Sequence, residues 1–161
     1  MSFEGRPAGS PSDALGHTEF VLKLPSDLGI IEAAVGYLVS RCRACAFEGS
    51  RLELNFRVGV TEALANAILY GNRGDPDKTV RVEVSLDPGA VQVCVIDEGE
   101  GFDTTYVPDP RSPENLELPG GRGLFLIREL MDEAEFNERG NSVRMLLVRA
   151  SGSASQADDT A

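Results

Sequence analysis

The chain has 161 residues, of which 42% are apolar and 25% charged, and its formal net charge is −11. This length favours one domain with a real core, and this composition excludes a largely disordered chain. The acidic balance argues against non-specific nucleic-acid binding, which needs clustered Lys and Arg. Nucleotide binding stays open, because backbone N–H groups and a bound cation can hold a few phosphates.

The two ends of the chain are rich in small and polar residues. This composition predicts disordered tails over residues 1–17 and 150–161, with one domain over residues 18–149 between them. No stretch approaches the roughly 20 apolar residues of a membrane span, and the start lacks the apolar core of a signal peptide. We therefore expect a cytoplasmic protein without a membrane partner.

The cysteines indicate neither a disulfide framework nor a metal site. Cys42 and Cys45 form a CxxC, but the motif falls late in a predicted helix, away from the helix N-terminus that would stabilise a thiolate. His17 is the only histidine and lies in the predicted tail, so zinc has no better support.

The ordered part begins with a strand predicted over Glu19 to Leu24. A helix start follows at Pro25–Asp27, with Ser26 as a plausible N-cap. The helix behind it ends near Phe47 and carries apolar residues at helical spacing, namely Ile30, Ala34, Leu38 and Val39.

The next helix is predicted from just after Ser50 to about Tyr70 and carries a polar pair, Glu62 and Asn66. Residues at i and i+4 project from the same side of a helix, so these two side chains lie one turn apart. Alone, such a pair is more often part of a solvated face. A different stripe is apolar at spacings of three or four and predicts a buried face: Leu52, Phe56, Val60, Ala63 and Ala67.

Turn residues after this helix lead into a hairpin. Alternation predicts two half-buried strands joined at Asp87–Gly89, with inward residues Val80, Val82, Val84 and Leu86 on the first and Val91, Val93 and Val95 on the second. The second strand runs into Asp97-Glu98-Gly99-Glu100-Gly101. Residues 102–119 contain four prolines and no periodicity. Loops of this length are often lids or binding loops.

A glycine run, Gly120 to Gly123, then opens a third helix. A short strand over Glu135 to Asn137, a turn and the strand SVRMLLV complete the chain. Strands joined by tight turns predict an antiparallel-rich sheet. The fold class is therefore an α/β two-layer sandwich, a mixed and mostly antiparallel sheet with three helices on one face. The glycine run matches neither a Rossmann fingerprint nor a P-loop.

Three elements have a physical role if the ligand is ATP. Asp97 can accept a hydrogen bond from an exocyclic amine, beside glycines that leave room for a flat base. Gly121 and Gly123 let the backbone approach phosphates at a helix N-terminus. Asn66 offers a neutral oxygen to Mg²⁺. Each element alone is more often a surface turn or loop, but all three in this order rarely arise by accident.

The segments EALANA, VIDEGEGFD and GGRGLFLIRELMDE resemble the N, G1 and G2 boxes of the GHKL ATPases. Within that superfamily, YGNRGDPDKTVRVEV is typical of the stand-alone anti-sigma factor serine/threonine kinases. The resemblance covers roughly residues 18–149 and implies a Bergerat-type ATP-binding fold. Tyr70 is a departure, since many relatives have histidine there, and tyrosine is no cation at pH 7.

The resemblance implies a role for each matching residue. Asn66 would hold Mg²⁺ between the ATP phosphates, and Glu62 would be the general base that takes the proton of a substrate hydroxyl. The remaining residues would bind the nucleotide: Asp97 the adenine amine, Gly99 and Gly101 the base pocket, and Gly121, Arg122 and Gly123 the phosphates.

The family further implies a homodimer that binds a sigma factor and phosphorylates an anti-sigma factor antagonist on serine or threonine. The resulting hypothesis is a protein serine/threonine kinase that acts as an anti-sigma factor in partner switching. The alternative is a catalytically inactive ATP-binding module that sequesters a protein partner. Glu62 favours the kinase, because a binding-only module needs no base.

Overall fold

The fold is known from a computed structural model, which describes residues 4–7, 17–47, 49–101 and 121–149. Its strands are β1 (Glu4–Pro7), β2 (Thr18–Pro25), β3 (Thr79–Leu86), β4 (Ala90–Ile96), β5 (Glu133–Phe136) and β6 (Ser142–Val148). They form a six-stranded sheet in the order β1-β2-β3-β4-β6-β5. Every pairing between these neighbours is antiparallel, which confirms the predicted antiparallel character.

The helices are α1 (Ile31–Ala44), α2 (Arg57–Asn66) and α3 (Gly121–Leu130). Two π-helical segments extend α2 without a break, Arg51–Phe56 before it and Ala67–Gly71 after it. Sheet and helices together confirm the predicted α/β sandwich. Among the described residues, no helix combines the length and apolar character that a membrane crossing needs.

The core lies between one face of the sheet and the helices. Strand register aligns Leu22 with Val82, Val82 with Val95, and Val95 with Val143, so a continuous apolar row crosses the sheet. These side chains are at most 6% exposed and share one cluster with the buried residues of α1 and α2. The period of two in the strands therefore produces the buried face that the sequence predicts.

The helix that carries Glu62 and Asn66 buries the predicted apolar stripe. Its members are all at most 5% exposed: Leu52, Phe56, Val60, Ala63 and Ala67. Glu62 and Asn66 lie outside this stripe and are half-buried. The core thus fixes the rotation of α2 about its axis, and with it the direction of the polar pair.

Helix α3 packs closely along α2. A Cβ placed on Gly59 would lie 3.0 Å from Sδ of Met131, the residue that follows α3, so the missing side chain at Gly59 leaves room for the Met131 side chain. Nearby, Nδ2 of Asn55 donates to the carbonyl oxygen of Leu130 at 2.8 Å and satisfies a group at the C-terminal end of α3. These contacts fix α3 beside the polar pair of α2.

Two local predictions are wrong. Residues 4–7 lie in the predicted N-terminal tail, yet they form β1 and pair with β2. Ser26 is not the N-cap, because its hydroxyl donates to the carbonyl oxygen of Lys78 at 2.7 Å. Asp27 caps instead, and its carboxylate accepts from the N–H of Gly29 at the short 3-10 helix Leu28–Ile30. The predicted C-terminal tail lies outside the described residues.

Candidate functional site

A cleft of about 180 Å³ opens between the end of α2, the end of β4, α3 and the β5–β6 hairpin. Asn66, Asp97 and Gly101 line it, so the first two predicted motifs meet at one place. The apolar residues Ala63, Val95, Leu124 and Ile127 form much of the rest of its wall. A concave, mostly apolar site with a few polar groups is typical of small-molecule binding.

One end of the cleft depends on a very close backbone approach. A Cβ on Gly71 would lie 2.3 Å from the Asp97 carboxyl group, and one on Gly99 would lie 2.0 Å from the carbonyl oxygen of Gly71. Neither glycine has a left-handed backbone, so both are required for space. The end of the second helix therefore touches the Asp97–Gly99 turn directly.

Gly101 has a different requirement. Its φ is +85°, a conformation that favours glycine, and a Cβ there would lie 1.8 Å from the carbonyl oxygen of Arg139 in the β5–β6 turn. The segment after β4 thus packs against α2 on one side and against the last hairpin on the other.

Asp97 is held from several directions at the end of β4. Its carboxylate accepts from the N–H of Gly99 at 2.8 Å, and its own N–H donates to the carbonyl oxygen of Asn141 at 2.9 Å. Burial raises the pKa of this carboxyl group, although the Gly99 hydrogen bond and the cations Arg139 and Lys78 oppose the change. A desolvated acceptor of this kind is suited to a ligand that donates a hydrogen bond.

The other end of the site joins Glu62, Asn66 and Gly123. A Cβ on Gly123 would lie 2.8 Å from Oε2 of Glu62 and 2.9 Å from Nδ2 of Asn66. The carboxylate and the carboxamide therefore both face the first turn of α3, and they occupy the space that a side chain at Gly123 would need. N–H groups at the start of a helix and their positive dipole favour an anion at this point.

Asn66 has a polar atom that the fold leaves unpaired. Within the described residues, its Nδ2 is buried and has no hydrogen-bond partner. A buried amide without a partner costs free energy, and such groups often serve a ligand. The unpaired Nδ2 is a donor and fits a phosphate oxygen above Gly123, while the oxygen of the same carboxamide is the kind of ligand that a hard cation prefers.

Other metal chemistry has no support in the described part of the chain. No group of three or more His, Cys, Asp or Glu side chains comes together there. Burial raises the pKa of Cys42 to about 12, which keeps this thiol of the CxxC protonated at neutral pH.

Three predicted features are described incompletely. Gly121 and Arg122 begin α3, but the described part of the structure does not include the Arg122 side chain or the surroundings of Gly121. The predicted lid over residues 102–119 lies outside the described residues. Whether these features reach the cleft is therefore still a prediction.

Sequence reasoning missed several residues of the site. They are Gly71 and the hairpin residues Phe136, Asn141 and Ser142, which line the cleft together with Tyr70, a residue that the sequence comparison had already singled out. Gly71 carried a signal, since it begins a cluster of turn residues after the helix. The hairpin residues carried none, because they reach the cleft only through strand order.

A model of the histidine kinase-like ATPase domain matches residues 24–147 of the chain. The chain belongs to this family. Its members are ATPase-like domains, and the cleft lies within the matched residues. Membership confirms the GHKL resemblance that the three sequence boxes indicated.

Three named proteins are similar in sequence to this chain. The anti-sigma F factor of Halalkalibacterium halodurans is 34% identical over 80 residues, 47% of this chain and 53% of that protein. The serine-protein kinase RsbW of Oceanobacillus iheyensis is 28% identical over 91 residues, 53% of this chain and 58% of that protein. RsbW of Listeria innocua is 28% identical over 136 residues, 80% of this chain and 86% of that protein.

The match thus spans little more than half the length of the first two relatives and most of the third. Their names confirm the resemblance to the anti-sigma factor kinase branch of the family. The family and the relatives together support an ATP-binding domain of the anti-sigma kinase type.

The close approach of Gly71 to the Asp97 carboxyl group predicts that a side chain at residue 71 destabilises the fold. Gly71→Ala should lower the free energy of unfolding by more than about 1 kcal/mol, because the new methyl group meets the Asp97 carboxyl group. Gly36→Ala is the matched control, since a Cβ there meets nothing within 4 Å. In the middle of α1, this change should instead stabilise by about 0.5 to 1 kcal/mol. Urea unfolding measures both, and equal effects would contradict the geometry.

The raised pKa of Asp97 predicts a pH dependence. Folding favours the neutral acid, so this group supports stability below its unfolded pKa and loses that support as the pH rises through its folded pKa. Asp97→Asn removes the buried charge and keeps an acceptor for the Gly99 N–H. We expect its stability relative to the wild type to be greater at about pH 7 than at about pH 3. Urea unfolding at both values tests this, and a difference independent of pH would refute it.

Proposed function

We propose that the chain is an ATP-dependent serine/threonine protein kinase that acts as an anti-sigma factor and phosphorylates an antagonist protein. One observation carries this proposal, namely the meeting of Glu62 and Asn66 at Gly123. It joins a carboxylate, a metal-type ligand and a helix N-terminus at one end of a cleft. Phosphoryl transfer from a nucleotide needs these three parts together.

In this proposal, ATP lies with its base at Asp97 and its phosphates at the start of α3. The desolvated Asp97 carboxylate accepts from the adenine amine, and Gly99 and Gly101 leave room for the flat ring. Gly121 and Gly123 receive the phosphates, with Arg122 nearby. The support is that Asp97 and Asn66 line the same cleft.

Asn66 would hold Mg²⁺ through its carboxamide oxygen. The cation would supply electrostatic stabilisation of the charge that the phosphates carry during transfer. The proposal is supported by the unpaired Nδ2 of Asn66 beside Gly123, which is free to donate to a phosphate oxygen while the oxygen of the same carboxamide is left for the cation. A single protein ligand fits Mg²⁺, which usually keeps waters and binds substrate phosphates.

Glu62 is the general base. The substrate hydroxyl oxygen forms a bond to the γ-phosphorus, and the bond from that phosphorus to the β–γ bridging oxygen breaks. Glu62 takes the hydroxyl proton, and ADP leaves with the bridging oxygen. The support is its carboxylate oxygen at the first turn of α3, one helical turn from Asn66.

The proposed partners follow from the names of the relatives. The relatives include an anti-sigma factor and two serine-protein kinases. We therefore propose a sigma factor and an antagonist protein as the partners of this chain. In the same proposal the protein is a homodimer. Tyr70 forms part of the wall of the nucleotide site. The protein would work in the cytoplasm, where ATP and the transcription machinery are.

Glu62→Gln tests the base. The amide keeps the shape of the side chain but cannot take a proton, so ATP binding should persist while phosphoryl transfer falls by about 10²-fold or more. Glu53→Gln is the control, because Glu53 is exposed and pairs with Arg43 and Arg57. Transfer of ³²P from ATP to the antagonist measures the rate. Transfer at the wild-type rate by Glu62→Gln would exclude the role.

The antagonist itself can be found by capture with ATP and Mg²⁺, followed by mapping of phosphorylated serine and threonine on the captured protein. Recovery of a bound protein without phosphate would favour the alternative, an ATP-binding module that only sequesters its partner.

Asn66→Ala tests the metal ligand. Affinity for ADP in the presence of Mg²⁺ should fall at least about tenfold, and the gain in affinity that Mg²⁺ provides should disappear. The unliganded protein should lose little stability, because the deleted NH₂ group has no hydrogen-bond partner within the described residues. Asn55→Ala is the matched control on the same helix, with its amide bound to Leu130. Calorimetric titration with ADP, with and without Mg²⁺, measures these affinities. If Mg²⁺ raises the ADP affinity of Asn66→Ala as much as that of the wild type, the ligand role is ruled out.

A further inference from the structure

Asn72 follows the second helix and is only 1% exposed, although it is polar. Its Nδ2 donates to Oγ of Ser26 and to the carbonyl oxygen of Thr79, each at 2.9 Å. Its Oδ1 accepts from the N–H of Glu98 at 2.7 Å. The whole carboxamide is therefore engaged, as a buried polar group must be to stabilise a fold.

These bonds join four parts of the chain. Asn72 ends the helix that carries Asn66, and its own N–H donates to the carbonyl oxygen of Ala67 at 2.7 Å. Ser26 precedes α1, Thr79 begins β3, and Glu98 follows the cleft residue Asp97. One side chain thus connects the helix end to the loop after β4.

A second tie holds the same loop. The Glu98 carboxylate accepts from the N–H of Thr79 at 2.5 Å and from its hydroxyl group at 3.2 Å. The Glu98 backbone is thereby fixed to Asn72, and its side chain is fixed to the start of β3. The loop has little freedom to move away from the helix end.

We propose that Asn72 is a positioning residue that places the Asp97 carboxylate for the nucleotide base. The inference rests on the proposed function, since it assumes that Asp97 binds adenine. The bond to the Glu98 N–H is one residue from Asp97. The loop it holds is the one that Gly71 and Gly99 bring against the helix, at the 2.0 to 2.3 Å separations that exclude a Cβ.

The consequence is preorganisation of the base site. Asn66 and Asp97 belong to different elements, and a nucleotide must reach both at once. A loop fixed in advance avoids the entropy cost of ordering Asp97 when the base binds. Loss of Asn72 should therefore reduce nucleotide affinity through Asp97 and leave the contribution of Asn66 intact.

Double-mutant cycles with ADP and Mg²⁺ test this coupling. Asn72→Ala should raise the dissociation constant about tenfold in the wild type. In the Asp97→Asn background it should raise the dissociation constant less than about twofold. There the amide oxygen stays with the Gly99 N–H, and an NH₂ group replaces the second oxygen, which would accept from the base. In the Asn66→Ala background the full factor of about ten should remain. Calorimetric titration supplies the constants, and thermal unfolding confirms that each variant is folded.

A stability control separates positioning from general damage. Val39→Ala removes methyl groups from a buried residue of α1, which is 1% exposed and does not line the cleft. It should lower stability and leave ADP affinity unchanged. If Asn72→Ala does not fold, Ser26→Ala removes one acceptor of the Asn72 amide. It should show the same non-additivity with Asp97→Asn at about a two- to threefold effect.

The outcomes are distinguishable. Unchanged ADP affinity in folded Asn72→Ala, or equal losses in the Asp97→Asn and Asn66→Ala backgrounds, would overturn the inference and leave the proposed function standing. A wild-type protein that does not bind ADP with Mg²⁺ would overturn the proposed function, and the inference with it. The inference is supported if Asn72→Ala lowers ADP affinity in the wild type and in the Asn66→Ala background but not in the Asp97→Asn background.

Discussion

The site depends on one steric constraint, the approach of the second helix to the turn after β4. No Cβ fits on Gly71 or Gly99, because each would lie within 2.0 to 2.3 Å of the other segment. The approach is the reason that a residue on a helix and a residue at a strand end share one cleft. A side chain at either glycine would separate the elements and open the base end of the site.

The other end of the cleft follows from helix packing. Buried Leu52, Phe56 and Val60 fix the rotation of the second helix, and Gly59 leaves room for the side chain of Met131, which follows α3. These contacts bring the first turn of α3 to Glu62. Core packing and glycine spacing, which are properties of the fold, thus place the groups that the proposed chemistry uses.

Much of this arrangement could be predicted from the sequence. Alternation in β3 and β4 and the helical stripe from Leu52 to Ala67 are strong patterns, and both faces are buried as predicted. The pattern could not show β1, because a four-residue edge strand has no period to detect. It also could not show that Asn141 reaches the cleft, since strand order is set by tertiary packing. The Ser26 error has a similar cause, because the hydroxyl finds a distant partner in Lys78.

The central claim is that the cleft holds ATP with its base at Asp97 and its phosphates at Gly123. A crystal structure of the protein with ADP and Mg²⁺ tests it most directly. The account predicts the adenine amine within hydrogen-bond distance of the Asp97 carboxylate, and Mg²⁺ on the Asn66 oxygen beside the phosphates. A nucleotide bound elsewhere, or bound in the reverse direction with phosphates at Asp97, would contradict it.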